Sequence, residues 1–176
     1  MWIDVDEQMF HHIIFHCPLI ENLCVVWCDG LSKLGLTANL HNLKKVRISG
    51  LKEVEINAPS LQSFLYNIGE GDTFVLNIDS SCDLKVLHLE GLSIRDQLFK
   101  NLMSKFPLLE DIHLQYVSDL KRIDILSQSL EKIDLDSCNQ LVEAKIDTPN
   151  LFSFEYVGNG IPSLYFFRAP HQLKAL

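Results

Sequence analysis

A chain of 176 residues, 47% of them hydrophobic, can bury a sizeable core and is expected to form one domain. A net charge of −8 and an isoelectric point near 5.3 disfavour non-specific binding to nucleic acid or to an anionic membrane, both of which attract basic surfaces. No apolar run reaches the length of a membrane span, and the acidic start MWIDVDEQ is unlike the basic head of an export signal. The cysteines Cys17, Cys24, Cys28, Cys82 and Cys138 are odd in number and unpaired in pattern, and no N-x-Ser/Thr sequon occurs. Both features point to a reducing compartment, cytoplasmic or nuclear, and the favoured partner is a protein.

Asp4 to His16 predicts a helix, with Asp4 and Glu7 at the spacing of a weak capping box. Pro18 disfavours the α conformation in Cys17, so the helix ends there. Period-two hydrophobicity at Leu23 and Val25 then reads as a strand. The same text returns 89 residues later, from Ser93 to Leu114: Val5 is answered by Ile94, Phe10 by Phe99, Pro18 by Pro107 and Leu23 by Ile112. Ser93 and Asp96 predict a capping box for a second helix, Ser93–Lys105, ending near Phe106. Its apolar stripe is Ile94, Leu98 and Leu102, with Phe99, Met103 and Phe106 beside it. Self-similarity at a fixed offset is the mark of a repeat architecture.

Between and beyond these copies the spacing L-x-x-Φ-x-Φ (Φ apolar) recurs. It is found at Ile20-Leu23-Val25, Leu31-Leu34-Leu36, Leu43-Val46-Ile48, Leu51-Val54-Ile56 and Leu61-Phe64-Tyr66. After a less regular patch it resumes at Leu84-Leu87-Leu89, Leu109-Ile112-Leu114, Leu120-Ile123-Ile125, Leu130-Ile133-Leu135, Leu141-Ala144-Ile146 and Leu151-Phe154-Tyr156. Most hits lie half a repeat apart, so they alternate between two sides of a coil. Every other one, at Leu23, Val46, Phe64, Leu87, Ile112, Ile133 and Phe154, gives spacings of 23, 18, 23, 25, 21 and 21, close to the period of leucine-rich repeats. The fold expected is an α/β leucine-rich-repeat solenoid, a horseshoe of about seven coils. A parallel concave sheet would be backed by short convex strands at Leu34-Leu36, Val54-Ile56, Ile123-Ile125 and Ala144-Ile146 and by two convex helices.

A second echo supports this register. Asn57-Ala-Pro-Ser-Leu-Gln-Ser-Phe-Leu-Tyr66 recurs as Asp147-Thr-Pro-Asn-Leu-Phe-Ser-Phe-Glu-Tyr156, and the prolines, which cannot donate to a ladder, mark turns from convex to concave strands. Ala169-Pro170 begins a third copy, and a further strand is due at Leu173–Leu176. A solenoid needs terminal coils with polar outer faces, and no residues outside Trp2–Leu176 are there to supply them. The whole chain, 1–176, is therefore expected to be one repeat domain, either a fragment of a longer protein or one that exposes apolar edges.

Val5-Asp6-Glu7, Phe10, Cys17-Pro-Leu-Ile-Glu-Asn-Leu23, Cys28-Asp-Gly-Leu31 and the two Pro-x-Leu-x-Ser-Phe-x-Tyr segments resemble the leucine-rich-repeat region of plant F-box proteins. The resemblance covers nearly the whole chain and implies a substrate receptor. In that family an F-box docks to a Skp1-type adaptor of an SCF ubiquitin ligase. Neither an F-box nor a C-terminal FBD-type segment is read in this sequence, so the adaptor is expected as a partner only of a longer form. A stand-alone or truncated interaction protein is the alternative. An immune-receptor repeat is disfavoured because Ala-Pro and Thr-Pro stand where such repeats tend to carry Leu-Pro.

In a repeat strand the residues between core positions face outward. That places Arg47, Leu65, His88, His113, Asp134 and Glu155, with Cys24 before them, along one concave strip, flanked by Lys45, Glu90, Gln115, Lys132 and Asp136. The strip runs from basic to acidic and is the candidate surface for a protein target whose identity the sequence does not give. His11, His12, His16, Cys17, Cys24 and Cys28 suggest zinc, but helix and strand would hold them on opposite sides of the coil, so no metal is expected. Cys28, Cys138 and Asn159 instead fall where such repeats satisfy backbone groups in a turn. No nucleophile elbow, phosphate loop or dinucleotide fingerprint is present, and an acid–base pair of His88 and His113 would sit on an open face; neither a cofactor nor enzymatic activity is expected.

Overall fold

The computed structural model describes residues 7–28, 30–36, 40–69, 73–79, 82–168 and 174–175. Helix α1 (Glu7–His16) leads into β1 (Asn22–Val26), β2 (Lys33–Leu36), β3 (Lys45–Ser49), β4 (Glu53–Ile56), β5 (Ser63–Asn67), β6 (Val75–Ile78) and β7 (Val86–Glu90). Helix α2 (Asp96–Lys105) is followed by β8 (Asp111–Gln115), β9 (Arg122–Leu126), β10 (Lys132–Asp136), β11 (Glu143–Asp147), β12 (Ser153–Val157), β13 (Ser163–Phe166) and β14 (Lys174–Ala175). The strands sort into an eight-stranded parallel sheet, β1-β3-β5-β7-β8-β10-β12-β14, and two three-stranded parallel sheets, β2-β4-β6 and β9-β11-β13. This is the expected solenoid, with one broad concave sheet.

The convex side follows a longer period. One helix and three strands, α1-β2-β4-β6, are followed by one helix and three strands, α2-β9-β11-β13. That unit is the physical content of the 89-residue echo. It explains why the proline segments match, since Pro59 and Pro149 each stand in the turn after the second convex strand of their unit.

The register agrees with the leucine spacing: Leu23, Val46, Phe64, Leu87, Ile112, Ile133 and Phe154 are successive Cα partners, and Ala175 follows Phe154. All but Leu23 among the first seven are buried, and the second core row from Ile48 through Leu135 is buried with them. The core is therefore a continuous ribbon between concave and convex layers, in which each coil covers its neighbours. The leading leucines, such as Leu43, Leu61 and Leu130, are fully enclosed and close the turn into each concave strand.

Several details differ from the reading of the sequence. Residues 4–6 lie outside the described residues, so the Asp4 half of the first capping box does too. The second box does not form: α2 opens at Asp96 with Arg95 as its N-cap and no side-chain cap. Ser93 is held one turn earlier in a parallel bridge with Ser118, and its hydroxyl donates to Asp119 Oδ2 at 2.6 Å. Asp96 reaches across to the next coil instead, where its Oδ1 accepts the backbone N–H groups of Lys121 and Arg122 at 2.9 and 3.0 Å. Burial pushes the Asp96 carboxyl up, but those two amides and the Arg122 guanidinium outweigh it and hold the group below the usual carboxylate range.

The inner stripe of α2 is Phe99, Leu102, Met103 and Phe106, an i, i+3, i+4, i+7 set, while Leu98 faces outward. Strands β6 and β13 were not anticipated. In β6 the leading apolar slot, three residues before Leu76, holds Thr73. In β13 the spacing is intact as Ile161-Leu164-Phe166, with isoleucine leading as in Ile20-Leu23-Val25.

Candidate functional site

Alternation along a strand sends every second side chain out of the sheet, and a shared register stacks those side chains into rows. The middle row of the concave face is Cys24, Arg47, Leu65, His88, His113, Asp134 and Glu155, each the Cα partner of the next. The structure thus brings all the predicted strip residues together. Arg47 and Glu155 are exposed, and Leu65, His88, His113 and Asp134 are half-buried by their neighbours in the row. A second row carries Lys45, Asp111 and Lys132, and a third carries Glu90, Gln115 and Asp136.

The polar groups of the face are ordered largely by one another. His113 Nδ1 donates to Asp134 Oδ2 at 3.0 Å, and Gln115 Nε2 donates to Asp136 Oδ2 at 2.7 Å. The hydroxyl of Ser137 donates to the other oxygen of Asp136 at 2.9 Å. Lys132 is drawn to Asp111, at 3.3 Å, and lies 5.6 Å from the centre of the Phe152 ring. The carboxylate that bonds His113 is that of Asp134, one strand on in the same row.

The rings of His88 and His113 stand 5.5 Å apart, tilted by 34°. His88 Nε2 is enclosed without a hydrogen-bond partner. Burial lowers the His88 pKa, and neighbouring His113 lowers it further, against the opposite pull of Glu90 and Asp134. The native state therefore refuses a proton that the unfolded chain accepts just below the ordinary histidine value of 6.5. Stability conferred by this neutral histidine is complete above that value and falls as the pH drops from it towards the lowered native pKa. A His88→Gln protein lacks the penalty, so thermal midpoints compared between pH 7 and pH 5 should fall more for the native chain than for the variant. Parallel curves would show that His88 titrates normally.

The rim of the face is built largely from residues in the left-handed region. The residue after most concave strands extends the ladder by one bond: Trp27 N–H donates to Ser49, Gly50 to Asn67, Ile68 to Glu90, Gly91 to Gln115, Tyr116 to Asp136 and Ser137 to Val157. Gly50 (φ 82°) and Gly91 (φ 71°) suit that slot, whereas Trp27 (φ 49°), Tyr116 (φ 51°) and Ser137 (φ 55°) occupy it with side chains. The Trp27 ring lies over Gly50, where a Cβ would come within 2.5 Å of it. Beside Tyr116, with Gly91, Val117, Ser118, Ser137, Asn139 and Gln140, opens a cavity of about 470 Å³. The sequence reading missed this rim; the glycines at positions 50 and 91, each following a concave strand, were the available signal.

The turn cysteines behave as the spacing implied. Cys138 is fully buried, its thiol donates towards the carbonyls of Leu114 and Asp136, and burial pushes its pKa up to about 11. Cys28 makes the weaker equivalent contact with the Val26 carbonyl. Asn159 is held differently, through its own N–H to Asn139 Oδ1. The repeated tyrosines diverge: Tyr66 is buried and donates to the Leu51 carbonyl at 2.7 Å, while Tyr156 is half-buried over Gly158. Among the described residues no three His, Cys, Asp or Glu side chains converge as metal ligands, and no helix is long and apolar enough to cross a membrane.

A parallel sheet with a strand every coil, an open concave face and a convex layer of strands and helices defines a leucine-rich-repeat solenoid, a class that typically serves as a non-catalytic binding scaffold. The family model described as At1g61320/AtMIF1, LRR domain, matches residues 72–176. That is more than half of the sequence, and the chain belongs to this leucine-rich-repeat family. No curated protein and no solved structure matches the chain.

Proposed function

We propose that this chain is a protein-recognition domain spanning residues 1–176, working in the cytoplasm or nucleus. It would present the strip of Arg47, Leu65, His88, His113, Asp134 and Glu155 to a target protein. The observation that supports it is the concave sheet, whose outward rows of ordered polar side chains have no described element of the chain over them. Concave solenoid surfaces are commonly used this way because successive coils extend one contact surface without a break.

The finer reading is that the domain is the substrate-binding region of an F-box-type receptor in an SCF ubiquitin ligase. It rests on the likeness of the Pro59–Tyr66 and Pro149–Tyr156 segments to the repeats of plant F-box proteins. The second reading is an interaction protein without a ligase role, which rests on the matched leucine-rich-repeat domain and the solenoid fold alone. Co-precipitation of the natural full-length product with a Skp1-type adaptor separates them. Capture of the adaptor supports the receptor reading, and target binding without the adaptor supports the alternative.

The recognition reading itself is tested by Arg47→Glu and Asp134→Lys. Both side chains point out of the sheet, so circular dichroism should be unchanged while the amount of target retained in a pull-down falls about tenfold. Undiminished retention by both variants would remove the concave strip as the binding surface.

A further inference from the structure

The two halves of the concave face carry different charge. On β1, β3 and β5 the middle and third rows hold one formal charge, that of Arg47. On β7, β8, β10 and β12 the same rows hold Glu90, Asp134, Asp136 and Glu155 and no lysine or arginine. Lys132, the cation of the remaining row on these strands, is engaged by Asp111 and lies along Phe152. Asp134 and Asp136 are ordered by an imidazole, a carboxamide and a hydroxyl, and among the described residues no lysine or arginine is paired with either.

One feature beside the carboxylates suits a long cationic side chain. Tyr116, next to the third row, is 46% exposed and borders the rim cavity, which offers an aromatic surface for an aliphatic stem or a guanidinium. An acidic partner would bring like charges together on this half, at a cost of several kcal/mol.

We propose that the β7–β12 half of the concave face docks a basic segment of a partner protein, with a lysine or arginine seated between Glu90, Asp134 and Asp136 and its stem against Tyr116. This rests on the protein-recognition reading above and adds to it the chemistry of the partner. The other half of the sheet, with Lys45, Arg47 and Leu65, remains available for the continuation of the same partner and sets the direction in which it lies.

The probe is a fluorescein-labelled peptide of alternating lysine and glycine, compared with an equally long peptide of alternating glutamate and glycine. Binding is followed by anisotropy and mapped by amide chemical shifts. The lysine peptide should bind, weaken as salt rises and shift amides of β7, β8, β10 and β12. The triple variant Glu90→Gln, Asp134→Asn, Asp136→Asn should lose about tenfold or more in affinity. A control with three convex acids neutralised, Glu7→Gln, Glu55→Gln and Asp124→Asn, should stay within about twofold of the native chain. Equal loss in both variants would mean that the peptide senses only the net charge, and preference for the glutamate peptide would reverse the assignment; either overturns the proposal. If the lysine peptide fails to bind while Arg47→Glu or Asp134→Lys still depletes the natural target, the partner chemistry is wrong and the recognition reading stands. If target retention is also unmoved, both fall.

Discussion

Ile112→Asp is expected to abolish the cooperative fold of the central coils, at a cost of about 4 kcal/mol or more. Ile112 is 1% exposed and stands in register between Leu87 on one side and Ile133 on the other, the middle of the buried row. A carboxylate there has no cation within the core to meet it, and the row offers aliphatic neighbours alone. In a solenoid each coil is stabilised by the two it touches, so the damage spreads to β7 and β10 before it reaches the ends. His113→Asn, one residue along the same strand, points out of the sheet and should cost about 1 kcal/mol or less. Denaturant titration followed by circular dichroism tests the pair. A soluble Ile112→Asp protein with a native-like midpoint would place the strand one residue out of register, which would also turn His113 into the core.

That contrast depends on a pattern that was legible in the chain before any coordinates. The concave strands were readable because each core row is filled by a side chain whose burial is demanded on both sides. A slip of one residue would expose leucine, isoleucine and phenylalanine in every coil at once. The strip from Cys24 to Glu155 was readable for the same reason, as the complement of the buried rows. Strand β6 was not, because it lies at the end of its sheet beside one partner, where Thr73 in the leading slot is tolerated. The rim was hidden by backbone conformation: φ values of 49° to 55° at Trp27, Tyr116 and Ser137 leave no mark in a hydrophobicity pattern. Hydrogen bonds between coils were hidden too. Ser93 and Asp96 have the spacing of a local cap, yet both carboxylate and hydroxyl bond to the next coil, 25 or 26 residues away, because α2 stands where a convex strand would have donated and accepted.

The helix thus has a structural task that a strand would otherwise perform. Sheet β9-β11-β13 begins at β9, whose backbone on the N-terminal side has no preceding convex strand to pair with. An unpaired edge invites association with other chains. Here α2 packs against β9, and Asp96 accepts the first two free amides of that segment. The earlier unit uses related chemistry more loosely. Glu7, which echoes Asp96, acts on Lys33 at the start of β2 from a distance, while the hydrogen bond from Lys33 to Glu53 is the larger reason that the lysine's pKa is raised.

Phe99→Ala should therefore have the second largest effect. Phe99 is the fully buried side chain of α2, 2% exposed, with Leu102 and Met103 only partly covered beside it. Truncation of a buried phenylalanine costs about 3–5 kcal/mol, and a helix of 10 residues has little stability of its own once its packing face is cut. The expected result is local: α2 detaches, the amides of Lys121 and Arg122 lose their acceptor, and hydrogen exchange accelerates across α2 and the start of β9. The strands β3 and β5 should keep their protection, since they lie at least one strand away from the coil that holds the helix. Asp96→Ala should reproduce the faster exchange at Lys121 and Arg122 while leaving α2 docked, at a cost of about 1–2 kcal/mol. Uniform loss of protection in Phe99→Ala would mean that the two helix-plus-three-strand units unfold as one body. Unchanged exchange at Lys121 and Arg122 in Asp96→Ala would mean that the helix, and not its carboxylate, closes the edge of the second convex sheet.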